Sequence, residues 1–154
     1  MIHFNRFVIV VVILLIISLV VLVGNGAFDL VGVQSNAPPP VTVLRSTCSQ
    51  PPGFILIIAD LSGFNNSVGH GAPIHPWPVI HVHKGDTVRF VVCNHDETQP
   101  HGFAIRYYLD AGIAMAPNDA FQVVFQATQT GTFDIYCNIF CTIHVFMRGQ
   151  LIVT

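Results

Sequence analysis

Residues 7–23 form a run of seventeen in which only Ser18 is not apolar. A helix rises 1.5 Å per residue, so the run reaches about 25 Å, the short end of a bilayer core, and Ile2 and Phe4 extend it. A cleavable signal peptide is the competing reading. The run exceeds the usual apolar length of such a signal, and Val23-Gly24-Asn25-Gly26-Ala27 makes a poor cleavage site. Residues 1–24 therefore read as an uncleaved membrane anchor. Arg6 and the N-terminal amine precede the run, Asp29 follows it, and the next basic residue is Arg45. The positive-inside rule then leaves the N-terminus in the cytoplasm and the rest of a single-pass chain outside the cell membrane.

The run also accounts for the composition. The chain is 52% hydrophobic and 9% charged, and without the run the hydrophobic share falls to about 47%, within the ordinary globular range. Residues 25–40 carry Gly, Asn, Ser and Ala and end on Pro38-Pro39-Pro40, a tether that stiffens toward its end. Residues 41–154 have the size of one small single-core domain.

Short segments rich in β-branched and aromatic residues lie at 54–58, 79–82, 87–93, 103–105, 121–125, 132–136 and 150–153, separated by Gly, Pro, Asn or Asp. Seven such segments predict an all-β sandwich. Alternation through Phe133, Ile135 and Cys137 points these three inward. No long amphipathic helix appears, which excludes a helix bundle or a doubly wound sheet. A net charge of −2 with no basic stripe, no phosphate-binding Gly loop and no Ser/His/Asp arrangement excludes a nucleic-acid partner and bond chemistry by catalytic residues of the chain's own.

The chemistry gathers near the C-terminus. Cys137, Cys141, His144 and Met147 fall within eleven residues, just past an inward-facing strand. Soft sulfur with imidazole favours copper over harder ions, and Met is not a ligand in structural zinc sites. A further imidazole is needed from another strand, and His101 supplies it, 36 residues before Cys137. Ligands held on separate strands are preorganised by the sandwich.

Lys84-Gly85-Asp86-Thr87-Val88, His101-Gly102-Phe103, Gly131-Thr132-Phe133 and the Cys-rich loop, in that order, resemble a cupredoxin, whose fold is a Greek-key β-sandwich. More closely, residues 79–154 plus the anchor resemble the copper A (CuA) domain of subunit II of haem-copper oxidases such as cytochrome c oxidase. The resemblance implies a respiratory electron-transfer component holding two coppers. Cys137 and Cys141 would bridge, His101 and His144 would be terminal ligands, Met147 a weak thioether ligand, and Ile139 the donor of a backbone carbonyl. It implies a redox protein as electron donor and the oxidase's membrane-embedded catalytic subunit as acceptor.

One departure stands out. Two residues, Thr142 and Ile143, separate Cys141 from His144, where that family has three. Cys141, His144 and Met147 also resemble the loop of amicyanin-like blue copper proteins, which hold one type 1 copper. That reading is an anchored mononuclear shuttle and leaves Cys137 without a role. A metal-free exported binding domain, with Cys137 and Cys141 as a local disulfide, is the third alternative.

His81 and His83 share one strand face and read as solvated decoration, with His70, His75 and His95 in solvent-facing loops. Trp77 reads as a packing residue. Cys48 and Cys93 could pair in an oxidising compartment, yet Cys93 has the parity of Arg89 and not of Val88 and Phe90. Val145, Phe146 and Phe103 are the candidates for an apolar docking patch.

Overall fold

Strand-forming chemistry and turn residues place the elements where the pattern predicts them. In the computed structural model, which describes residues 37–154, the strands are β1 Thr42–Arg45, β2 Ile55–Asp60, β3 Gly63–Phe64, β4 Val79–Val82, β5 Thr87–Asn94, β6 His101–Ile105, β7 Leu109–Met115, β8 Ala120–Gln126, β9 Gly131–Tyr136 and β10 Arg148–Val153. A single 3₁₀ turn, His144–Phe146, is the only helical element among the described residues. The expected anchor, residues 1–24, and the first part of the expected tether lie outside the described residues. Among those described, no helix is long and apolar enough to cross a membrane.

The strands form two five-stranded sheets, ordered β1-β8-β5-β2-β3 and β4-β10-β9-β6-β7. β2 with β5 and β4 with β10 run parallel, and the other pairs are antiparallel. All seven expected segments are strands. β1, β3 and β7 are additional, and each lies at a sheet edge. β7 is built from Leu109, Asp110, Ala111, Gly112, Ile113, Ala114 and Met115 and pairs with β6 alone, so neighbour pairing forms a strand that residue propensity does not announce.

The core lies between the sheets. Val88, Phe90 and Val92 of β5, Val123 and Phe125 of β8, Phe133 and Ile135 of β9, and Leu151 and Val153 of β10 meet there. Phe103 sits among them with no exposed surface, its ring edge-on to those of Phe64 and Phe90 at 5.8 Å each. Its expected place in a surface patch is therefore corrected: β6 is an interior strand whose five residues are all buried, and the Phe103 ring fills the sandwich. Burying a side chain of this size contributes roughly 2–3 kcal/mol.

The opposite face of β5 carries Val91 and Cys93, packed with Ala120, Phe54, Leu56 and Ile58. Parity thus assigns Cys93 to the correct face. The segment before β2 covers that face and joins Cys48 to Cys93 in a disulfide with Cα atoms 5.5 Å apart.

Candidate metal centre

Antiparallel pairing of β6 and β10 with β9 brings the start of β6, the end of β9 and the start of β10 to the same end of their sheet. His101 opens β6, Cys137 follows β9, and residues 138–147 loop back to β10. The Cys137 N–H donates to the Met147 carbonyl at 3.3 Å, closing the loop at its base. Inside it, the N–H groups of His144, Phe146 and Met147 donate to the carbonyls of Cys141, Ile143 and His144. These bonds make a compact turn from residues that carry no regular periodicity.

The donor atoms converge. The sulfurs of Cys137 and Cys141 lie 3.7 Å apart, well beyond the ~2.05 Å of a disulfide. Cys141 Sγ is 3.7 Å from Met147 Sδ. The Ile139 carbonyl oxygen is 3.1 Å from Cys137 Sγ and 2.7 Å from His144 Nδ1. One donor atom from each of Cys137, Cys141 and His144 lies within 4.8 Å of the others. His101 and Met147 have no exposed surface and the two thiols almost none, while His144 is half-buried.

His101 supplies the sharpest test of fit. Its Nε2 lies 3.1 Å from Asp96 Oδ2, whereas its Nδ1 is buried and has no hydrogen-bond partner. Buried ring nitrogens are rarely left unpaired, because each pays a desolvation cost of about 1–3 kcal/mol. A carboxylate on one nitrogen and a free lone pair on the other is how a metal-ligating imidazole is held in one tautomer. Two thiols, two imidazoles, a thioether and a carbonyl form a soft donor set that fits copper.

The electrostatics agree with this. Burial alone would raise the Cys137 pKa, yet it is lowered, because donors at its sulfur, the Gly102 N–H at 3.2 Å among them, favour its thiolate. Burial and the neighbouring Cys137 sulfur instead push Cys141 up. Burial also acts against the His101 cation, but Cys137 and Asp96 outweigh it and raise that pKa. Asp96, nearly fully buried, is held down at about 2 against its own desolvation by hydrogen bonds from Thr98, Gln99 and His101.

Of the six residues expected from sequence, Cys137, Ile139, Cys141, His144 and Met147 are joined by these distances, and His101 stands next to Gly102, whose N–H reaches the Cys137 sulfur. The other expected residues stay outside this group. His81 and His83 are exposed on and beside β4, His70 stacks on Trp77 with ring centroids 4.0 Å apart, and His95 Nε2 lies 3.0 Å from Cys48 Sγ. Sequence reasoning missed two supporting residues. Asp96 lies five residues before His101, and no periodicity in the intervening residues aims it there. Asn138 donates to the Ala111 carbonyl at 3.1 Å and fills the space over Gly102 and Gly112, where a Cβ on either glycine would collide with it. The exposed apolar residues at this end include Phe140, at 92% exposure, together with Val145 and Phe146.

Solved structures of similar fold include amicyanin from Paracoccus versutus, 23% identical over 74% of this chain and 97% of that one, with a TM-score of 0.46. A multicopper oxidase is 21% identical over 71% of this chain and 45% of that chain, with a TM-score of 0.51. A chain in the structure of a heme-copper terminal oxidase dimer is 15% identical over 96% of this chain and 95% of its own length, also with a TM-score of 0.51. At these identities the likeness of the two structures with a TM-score of 0.51 speaks for the fold alone. A family model described as the cupredoxin-like domain matches residues 77–153, half of the chain, and the chain belongs to that family.

Proposed function

We propose that this chain is a membrane-anchored copper electron-transfer protein, the CuA-bearing, subunit II-like component of a terminal haem-copper oxidase. The observation that carries the reading is the convergence of both thiols with the Ile139 carbonyl, Met147 and His144, together with a second buried imidazole, His101, whose Nδ1 is unpaired. The near full-length alignment with a chain of a heme-copper terminal oxidase supports the choice of partner.

In this reading Cys137 and Cys141 would both hold copper. His101 would ligate through its unpaired Nδ1 and His144 through its ring, with Met147 Sδ and the Ile139 carbonyl as weaker donors. Bound copper supplies a one-electron couple, and the chain's own residues keep its surroundings fixed. Asp96 locks the His101 ring, the Gly102 N–H donates to the Cys137 sulfur, and Asn138 pins the loop to β6 and β7. Fixed ligands keep the structural rearrangement on electron transfer small, and buried sulfur excludes water. His144, half-buried beside exposed Val145, Phe146 and Phe140, gives the electron a route to a docked partner. The anchor at 1–24 would hold the domain outside the cytoplasmic membrane, within reach of a membrane-embedded acceptor.

The spacing of Cys141, His144 and Met147 favours a second reading, an anchored shuttle with one type 1 copper. It leaves Cys137 idle, although its sulfur lies 3.7 Å from that of Cys141 and 3.1 Å from the Ile139 carbonyl. Cys137→Ser separates the two. A site built on Cys141 alone keeps one copper and a type 1 spectrum, whereas a site bridged by both thiols loses its two-copper spectrum.

A further inference from the structure

The metal loop does not stand alone at its end of the sandwich. Residues 61–78, between β2 and β4, form an excursion fixed to the sheets on two sides. On one side, Asn65 imitates a strand neighbour of β2: its Oδ1 accepts the Ile58 N–H at 2.6 Å and its Nδ2 donates to the Leu56 carbonyl at 3.0 Å. On the other, the Trp77 N–H donates to the Arg148 carbonyl and the Gln150 N–H to the Pro78 carbonyl, each at 2.8 Å. Between these anchor points the Trp77 Nε1–H donates to the Asn65 carbonyl at 3.0 Å, and the indole stacks on His70.

Ser67 lies inside this excursion with no exposed surface. Its hydroxyl donates to the Phe146 carbonyl at 2.7 Å and accepts the Phe64 N–H at 3.1 Å. Phe146 lies between His144 and Met147. A Cβ at Gly63, whose φ is +91°, would overlap the Ser67 hydroxyl, so the glycine is what allows the approach. One hydroxyl therefore ties the β3 backbone of one sheet to the ligand loop that opens β10 of the other.

We infer that Ser67 is a positioning residue for the metal centre and that the 61–78 excursion is a clamp fixing the limb of the ligand loop that carries His144 and Met147. The inference rests on the proposed copper reading, since it assigns the clamp to that centre. Ser67→Ala leaves a buried N–H and a partly buried carbonyl unpaired together and frees the loop from the excursion.

The test compares the full chain in detergent micelles as wild type, Ser67→Ala and Val123→Ala. Val123 is fully buried on β8 in the middle of the sandwich, so its truncation lowers global stability without touching the clamp. In the metal-free chains, hydrogen exchange at amides 143–148 is expected to be about tenfold or more faster in Ser67→Ala than in either comparator. In the copper-loaded chains, transfer of copper to a chelator is expected to be about tenfold faster in Ser67→Ala alone, with an altered hyperfine pattern. Exchange unchanged in Ser67→Ala, or accelerated equally in Val123→Ala, overturns the clamp. A wild-type chain that binds no copper defeats the proposed function instead, and the exchange comparison still decides whether the clamp exists.

Discussion

Asp96→Asn replaces one oxygen by an NH₂ group in a buried pair. The Asp96 Oδ1 accepts from the Thr98 N–H and hydroxyl and from the Gln99 N–H, at 2.8, 2.8 and 3.0 Å. An asparagine keeps all three through its own Oδ1, so the loop holds its shape. What changes is the group facing His101. The Nδ2 of asparagine then meets Nε2 at the 3.1 Å now spanned to a carboxylate oxygen. Two donors cannot share that contact, and the imidazole relieves it by moving its proton to Nδ1. That proton occupies the lone pair the metal needs. Loss of a charge-assisted hydrogen bond between buried partners costs about 1.5–3 kcal/mol, and removing the outer partner of a ligating histidine costs about 10–100-fold in metal affinity. We therefore expect Asp96→Asn to weaken copper binding within that range, measured by chelator competition, while far-ultraviolet circular dichroism stays that of the wild type. Nitrogen NMR of the His101 ring should report the proton on Nδ1 in the metal-free variant and on Nε2 in the wild type. Copper affinity within twofold of wild type, with the tautomer unchanged, would refute the role given to this pair.

Three further outcomes follow from the same geometry. Between about pH 4 and pH 2 the metal-free wild type should lose on the order of 1–2 kcal/mol more unfolding free energy than Asp96→Asn. The folded-state pKa of Asp96, about 2, lies below its ordinary value of 3.8, so its stabilisation is present above pH 4 and disappears as pH falls; equal acid slopes in urea titrations would contradict this. Replacing both Cys48 and Cys93 by Ser should lower the unfolding free energy by about 4 kcal/mol in the chain-entropy treatment, because the bridge spans a sequence separation of 45, and the copper spectrum should be unaffected; an altered spectrum would show that the bridge shapes the site. Phe146→Glu should leave copper content intact and slow electron exchange with the membrane acceptor several-fold, and unchanged transfer rates would remove Phe146 from the docking patch.

Much of this arrangement is legible in the sequence because it depends on local rules. Alternation through Phe133, Ile135 and Cys137 places the first thiol inward, and each of the three is buried. The Cys, His and Met of the ligand loop are neighbours in sequence, and their donor types limit the metal without any knowledge of the fold. The residues that support them follow no such rule. Ser67 reaches Phe146 across 79 positions, and nothing about an isolated serine between Asn66 and Val68 announces that contact. Asp96 is closer to its partner, but its aim depends on the turn through Thr98 and Gln99. Phe103 shows the reverse error: adjacency to a ligand in sequence suggested a surface role, while its strand carries it into the core. Cys93 shows a correct parity with an incomplete conclusion, since the face away from the core is itself covered by a segment that brings Cys48 to it.

Copper analysis of the purified full chain, joined to electron paramagnetic resonance of the same fully loaded sample, decides whether both cysteines of the ligand loop serve one copper centre. About two coppers per chain are expected, with a hyperfine pattern in which one unpaired electron is shared by two nuclei. One copper per chain with a mononuclear type 1 spectrum, or no copper retained at all, would contradict a centre shared by both cysteines.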